Sequence, residues 1–441
     1  METGRSLALK ALIRTGKEEQ FSHLVLEEYR KKSRLSDQEA RLFAFLYRGV
    51  LERKITLDYR LAPYLNPKNP PQKEAVWLLR LGLFQLLYAT QITPYTAVSE
   101  TVNAAKNAGY GRLSGLCNGV LRAFLRDEGK KSAKLPKEAV RRLSVLGSMD
   151  ESLVSLLLSQ MGEEKLEGFL SHSFEKKKLW FRINPLRISK EACLSRLKEE
   201  GYNPQRGPLS HSFFVSEPAR LLHHPMFAEG CFYVQDLAAQ AAAEALGAKS
   251  GEAVADLCAA PGTKSLTLAG LMENKGSIFA GELHQNRLEK ILEGAKRIGA
   301  EIIHPVCKDA SVPDPELFGK FDRVLLDVPC SGLGTLAGKP EIRCKKAAQI
   351  ALLPEIQEKI LCSAKEYVKI QGTLVYATCT VNEMENGRVV DRFLHENPGY
   401  SLAPLPKELS FLPQRRPGEV LLLGEELDTD GFYFCRMIRN E

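Results

Sequence analysis

Apolar positions recur at helical spacing through the first 130 residues. Ser36-Asp37-Gln38-Glu39 has capping-box spacing, and Leu42, Phe43, Leu46, Val50 and Leu51 follow it on one stripe. The run Asn66-Pro67-Lys68-Asn69-Pro70-Pro71 breaks the pattern. Val76, Leu79, Leu83, Leu86 and Leu87 then resume it until Pro94, and residues 97–107 and 113–125 read as further helices. The pattern predicts a bundle of five or more helices over residues 1–130. The polar, basic stretch from Gly129 to Pro136 reads as a linker. Residues 137–230 mix periods, with strands at 179–184 and 213–215 around a helix at 190–200, which predicts a small α/β subdomain. From 231 to 441 apolar strands alternate with helices: 254–256, 277–280, 302–306, 324–327 and 374–377, with 432–435 as a late strand. That alternation predicts a mostly parallel sheet covered on both faces.

Composition refines this picture in three ways. A chain of 441 residues has room for two or three domains. The net charge of +7 is concentrated in residues 1–130, which carry 21 Lys and Arg against 13 Asp and Glu. A basic segment beside a nearly neutral one points to a module that meets a polyanion next to one that does chemistry. The ten cysteines are scattered without a C-x-x-C pair, which predicts reduced thiols rather than a disulfide framework or a metal site. Lys10 and Arg14 interrupt the only apolar stretch near the N-terminus, and Arg80 interrupts the run from Val76 to Ala89. The reading is therefore a cytoplasmic protein with no membrane span.

Candidate chemistry lies at the strand ends, where open parallel sheets bind ligands. One strand stops in Asp256-Leu257-Cys258-Ala259-Ala260-Pro261-Gly262-Thr263-Lys264, a tight turn without the G-x-G-x-x-G fingerprint. Glu282 ends the second strand, at the position where a carboxylate accepts hydrogen bonds from ribose hydroxyls. Asp309 ends the third and is placed to hold an exocyclic amine. A nucleoside-bearing cofactor without a pyrophosphate fits, and S-adenosylmethionine is one. Two further strands stop in Asp327-Val328-Pro329-Cys330-Ser331-Gly332 and in Thr378-Cys379-Thr380. A lone cysteine is most often a small core residue. Two at neighbouring strand ends beside a carboxylate suit covalent activation of a pyrimidine, in which a thiolate adds to carbon 6 and carbon 5 becomes nucleophilic. Asp327 would stabilise charge developing at ring nitrogen 3. The residues alone leave open which thiol attacks.

These three motifs resemble those of the RNA cytosine-carbon-5 methyltransferases, and more narrowly the RsmB (Sun/Fmu) family acting on bacterial 16S ribosomal RNA. The resemblance spans nearly the whole chain. The segment from Leu79 to Tyr88 and Asn118-Gly119-Val120-Leu121-Arg122 are similar to a NusB-like N-terminal domain, and Val234-Gln235-Asp236 and Asp430-Gly431-Phe432-Tyr433 also match. It implies a multidomain protein: an all-α NusB-like RNA-binding bundle (1–130), a small α/β RNA-recognition subdomain (137–230) and a Rossmann-like α/β catalytic domain (231–441) with a mostly parallel seven-stranded sheet. It also implies that Cys379 is the nucleophile and that Cys330 assists breakdown of the adduct, with Asp327 close to cofactor and base. Cys258, Ala259, Ala260, Pro261, Gly262, Thr263, Lys264, Glu282, Asp309 and Asp327 are then the contacts to S-adenosylmethionine. The run Lys339-Pro340-Glu341-Ile342-Arg343 looks like a substrate-side loop. The chain departs from the family at Thr263, where glycine is commoner, at Glu282, where aspartate is, and at Arg343, where lysine is.

The implied partner is 16S ribosomal RNA, with no membrane, no metal and no obligate protein partner. Arg30-Lys31-Lys32-Ser33-Arg34, Arg41, Arg48, Arg53 and Lys54 supply charge in the helical domain. Lys176, Lys177 and Lys178 leading into Trp180 and Arg182 combine charge with an aromatic, as single-stranded RNA readers do. Two other functions share parts of this signature. A transfer RNA cytosine methyltransferase would have the same catalytic motifs, and a non-catalytic RNA-binding factor would need neither thiol.

Overall fold

The computed structural model describes residues 2–18 and 22–441, which divide into two compact units. The first comprises the chain up to Glu175 together with Leu336–Gln349, and the second holds Lys176–Thr335 and Ile350–Glu441.

In the first unit the expected helices form. Ser36 caps Asp37–Glu52 by accepting the Glu39 N–H, and Thr93 caps Pro94–Asn107 with proline at the first helical position. Lys73–Tyr88 is the central helix, buried continuously from Trp77 to Gln85. Burial on all sides takes in two polar groups, and each is satisfied. Arg80 grips both Asp58 oxygens at 2.7 Å, while Gln85 donates to Thr101 at 2.9 Å and accepts from Arg5 at 2.8 Å. Three more helices, Ala139–Gly147, Glu151–Met161 and Glu163–His172, belong to this unit. The first compact unit therefore continues past the stretch read as a linker as far as Glu175, and that stretch is tied down by Arg60 on the Ser132 carbonyl and Tyr59 on that of Lys134.

The segment Leu336–Gln349 corrects another expectation. Arg343 is fully buried, and its guanidinium donates to the Gly147 carbonyl at 2.7 Å, and to the Ser173 carbonyl at 3.2 Å and hydroxyl at 2.7 Å. It sits 4.1 Å from the centre of the Phe174 ring. Burial pulls its pKa down to about 10. A cation on the carbonyl ends of two helices is where the helix dipole favours positive charge. Arg343 anchors its own segment and does not face a substrate phosphate or base.

The second unit contains two sheets. Strands β1 (Phe181–Ile183), β2 (Gln205–Arg206), β3 (Ser212–Phe214) and β4 (Phe232–Val234) make an antiparallel sheet in the order β2-β3-β1-β4. The large sheet comprises β5 (Ala253–Asp256), β6 (Ser277–Glu282), β7 (Ile303–Cys307), β8 (Phe321–Asp327), β9 (Val368–Thr378), β10 (Tyr400–Leu402), β11 (Gln414–Arg416), β12 (Glu419–Leu422) and β13 (Phe432–Arg439). Its order is β11-β12-β13-β9-β8-β5-β6-β7, with β10 also paired to β13. The expected seven-stranded core is present, and β10 and β11 extend it to nine strands at the antiparallel end. Strands β5 to β9 pair in parallel.

Alternation along β8 shows why the sheet is covered twice. Val324 and Leu326 pack with Ile360, Leu361, Val389 and Phe393, whereas Leu325 packs with Ala238, Leu266 and Ile291. The chain reverses direction across the sheet between β5 and β8. That switch point opens a crevice at their carboxyl ends.

Candidate active site

The crevice gathers most of the residues singled out above. Asp327 is the last residue of β8, and Cys330 lies three residues beyond it. Cys379 follows directly on β9, which ends at Thr378. Register places Asp327 opposite Ala377, so both strands deliver their terminal loops to one level. The two sulfur atoms are 3.2 Å apart, and both residues are half-buried. The hydrogen bond to Cys379, together with burial, pushes the Cys330 thiol well above its usual range, and the Glu385 and Asp327 charges add to this. Cys330 is held as a thiol.

Beside the thiols is an ion pair between buried Lys264 and half-buried Asp327. Lys264 Nζ donates to Asp327 Oδ2 at 2.5 Å and lies 5.3 Å from the centre of the Phe432 ring. Although burial alone would lower the Lys264 pKa, Asp327, Asp256 and Cys379 together raise it, so the ammonium form persists.

The turn after β5 forms the other wall. Gly262 adopts φ +104°, a left-handed conformation, and a Cβ there would sit 3.3 Å from the Ile291 backbone. This lets the chain enter the helix Thr263–Leu271 directly from the Cys258–Pro261 turn, where Ala259 N–H bonds to the Gly281 carbonyl at 2.9 Å. Burial, with nearby carboxylates, raises the Cys258 pKa and keeps this thiol neutral. Glu282 is buried at the end of β6, accepting from the His284 N–H at 3.1 Å and from Arg287 at 3.2 Å. Asp309 stands two residues past β7 and is exposed; its Oδ1 accepts from both the backbone and the hydroxyl of Ser311, which lowers its pKa.

Two groups went unrecognised in the sequence. Asp256 is fully buried; one oxygen accepts from Ser265 at 2.7 Å and the other, Oδ1, has no partner. Burial raises its pKa to about 6. The second is Asn382-Glu383-Met384-Glu385-Asn386, a polar run just beyond Thr380 whose signal was its concentration of amides and carboxylates straight after a buried strand. An orphaned buried acceptor, a close-approach glycine and a strand-end carboxylate suit a ligand bearing an amine, a positive charge and ribose hydroxyls. S-adenosylmethionine has all three.

Most of the stretch expected to read RNA has partners within its own unit. Lys177 pairs with Asp430 at 2.9 Å and Lys178 with Asp428 at 3.3 Å. Trp180 is buried, with its indole N–H on the Asp428 carbonyl, and Arg182 is buried against Glu244 at 2.6 Å. Lys177, Lys178 and Trp180 thus join β1 to the loop before β13, and Arg182 is held by the helix Leu237–Ala245, while Lys176 and Lys178 stay exposed. Among the described residues no helix is long and apolar enough to cross a membrane, and no group of acidic, histidine or cysteine side chains could hold a metal ion.

Comparison with known proteins adds the following. The family described as "16S rRNA methyltransferase RsmB/F" matches residues 243–438, and the NusB family matches residues 2–126. The chain is 36% identical to "Probable ribosomal RNA small subunit methyltransferase B" of Bacillus subtilis, covering 98% of each. It is 31% identical to "Ribosomal RNA small subunit methyltransferase B" of Klebsiella pneumoniae, over 99% of this chain and 98% of the relative. In fold it resembles the crystal structure of PH0851, with a TM-score of 0.81 and 24% identity over 100% of this chain and 99% of that one.

Proposed function

Because the chain belongs to the RsmB family of S-adenosylmethionine-dependent small-subunit ribosomal RNA methyltransferases, we propose that it methylates carbon 5 of a cytosine in 16S ribosomal RNA through a covalent cysteine adduct. The observation that carries this reading is the 3.2 Å approach of Cys330 and Cys379 at the strand end that also holds the Lys264–Asp327 pair. A binding factor would have no use for it.

Cys379 is the nucleophile. Its sulfur bonds to carbon 6 of the base, and the electrons of the C5–C6 double bond move to carbon 5. The Lys264 ammonium, held in place by Asp327, offsets the negative charge that builds in the ring. Bound S-adenosylmethionine supplies an electrophilic methyl group to carbon 5. Asp256 and Glu282 would hold its amine and ribose, with the 258–264 turn against it and Asp309 at the rim. The adduct then opens by elimination: water takes the C5 proton, the C–H electrons form the C5–C6 double bond, and the S–C6 pair leaves on the Cys379 sulfur. Cys330, held as a thiol against Cys379, shares its proton with the departing sulfur. Because the target carbon must reach a half-buried sulfur, the cytosine leaves its stack, which suits a loop or other accessible nucleotide.

Cys379→Ala should abolish methyl transfer to ribosomal RNA and leave cofactor affinity within about twofold of wild type; surviving transfer rejects the nucleophile assignment. Cys330→Ala should accumulate a denaturation-resistant protein–RNA adduct. Bisulfite sequencing of small-subunit RNA from cells with and without the gene identifies the modified base.

A further inference from the structure

Neither thiol is placed by its own strand alone. Cys330 lies three residues beyond β8 and Cys379 one beyond β9, so their separation depends on what holds those loops. One short segment touches the neighbours of both. Glu385 is fully buried, and its carboxylate accepts three N–H donors: the Ser331 backbone at 2.8 Å, Gln357 Nε2 at 3.0 Å and Asn382 Nδ2 at 2.8 Å. Gln357 Nε2 also donates to the Pro329 carbonyl at 3.0 Å, so both residues flanking Cys330 are held. Asn386, also buried, does the same for Cys379: its Oδ1 accepts from Thr378 Oγ1 at 2.6 Å, and its Nδ2 donates to the Thr380 carbonyl at 2.9 Å. Ser331 and Thr380 hydroxyls close the ring at 2.7 Å. Tyr376, within β9, donates to the Glu385 carbonyl at 2.6 Å and fixes the segment to the sheet.

We propose that Glu385 and Asn386 are positioning residues that set the Cys330–Cys379 separation by clamping the residue on either side of each cysteine. Three N–H donors from three different parts of the chain converge on one buried carboxylate, and no ion pair among the described residues neutralises it. A buried charge is retained only where such donors compensate it. Packing alone would be met by an apolar residue, so the arrangement serves geometry. The loop bearing Cys330 is further stapled to that bearing Cys379 by the Gly334 N–H on the Cys379 carbonyl at 3.0 Å.

This inference rests on the two-thiol reading of the site, so its test begins with a measurement that needs neither RNA nor methyl donor. Diamide takes two protons and two electrons from a pair of thiols, forming a disulfide as it becomes the hydrazine. The rate at which it joins Cys330 to Cys379, followed by peptide mass spectrometry, reports their separation directly. Glu385→Gln keeps shape but replaces an acceptor with a donor facing N–H groups. It should slow the Cys330–Cys379 disulfide at least about tenfold, lower kcat with little change in KM for RNA, and accumulate the covalent adduct. Gln357→Met is the gentler variant: Gln357 Oε1 has no partner, so only the two Nε2 bonds are lost. It should move all three readouts in the same direction by a smaller factor, and it decides the matter if Glu385→Gln does not fold. Folded variants with wild-type disulfide rates and wild-type kcat overturn the positioning role. If instead the disulfide slows but Cys330→Ala accumulates no adduct, the clamp stands and the assigned role of Cys330 falls.

Discussion

At the scale of single residues, Asp256 separates stability from function. Its carboxyl has a folded-state pKa of about 6 against an ordinary value of 3.8, raised by burial. The folded protein therefore keeps a proton that the unfolded chain has released between pH ~4 and ~6. The stability tied to that proton is fully present below the ordinary carboxylate pKa and is lost as pH rises through about 6, so at neutral pH Asp256 is a destabilising buried charge. Asp256→Asn keeps an acceptor for Ser265 and removes the charge. Thermal melts should show the variant more stable than wild type at pH 7.5, with the gap shrinking at pH 5. Calorimetry should show the opposite for S-adenosylmethionine, whose affinity falls by roughly 10-fold or more when a charge-assisted hydrogen bond of about 1.5–3 kcal/mol is lost. In the wild type, cofactor affinity should also weaken as pH is lowered through about 6. A variant neither stabilised nor weakened for cofactor would contradict the placement of this carboxylate.

At the scale of elements, the chain was legible where period and punctuation agree. The capping box at Ser36 and the apolar runs of β5, β6 and β8 marked elements within a few residues of those observed, while β9 begins six residues before its expected start. The strand-end rule found Asp327, Cys330 and Cys379 because motif and topology meet there. What stayed hidden was contact between segments far apart in sequence. Nothing local says that Lys177 is committed to Asp430, or that Arg343 serves two helix ends. Nor does any local pattern say that Glu385 meets Ser331, 54 positions away. Gly334 is a further case. A Cβ there would lie 1.8 Å from the Gly431 carbonyl oxygen, and the Gly431 N–H bonds back to the Gly334 carbonyl at 2.9 Å. Backbone meets backbone, so neither side can yield by changing a rotamer. Gly334→Ala should therefore displace the loop behind Cys330 and reduce methyl transfer at least about 100-fold, while cofactor affinity, governed by the 258–264 turn, stays within about threefold. Wild-type transfer in this variant would mean that the loop has slack that the geometry denies.

For the molecule as a whole, the charge imbalance of the sequence finds its physical expression in the first unit. Arg30, Lys31, Arg34, Arg41 and Arg48 are exposed and make no ion pair among the described residues, whereas Lys32 pairs with Glu28 and Arg53 lies over Phe174. Arg41, Phe45 and Arg48 share one face of the helix Asp37–Glu52, and Phe45 is an exposed aromatic. Charge and a planar ring on one face suit a phosphate backbone with accessible bases. Removing residues 1–130 would be a poor test of this, because that cut severs the unit from its own helices at 139–172 and from Leu336–Gln349. Point substitution avoids the difficulty. Replacing Arg30, Lys31, Arg34, Arg41 and Arg48 by alanine leaves every described ion pair intact, so the fold should persist. Each cation that neutralises a phosphate contributes a slope of about 0.7–0.9 to the dependence of log affinity on log salt. The fivefold variant should therefore bind ribosomal RNA more weakly at low salt and with a slope smaller by several units, while single variants lose about one unit each. An unchanged slope would place the RNA contact on another surface and leave the basic face of this unit simply solvated.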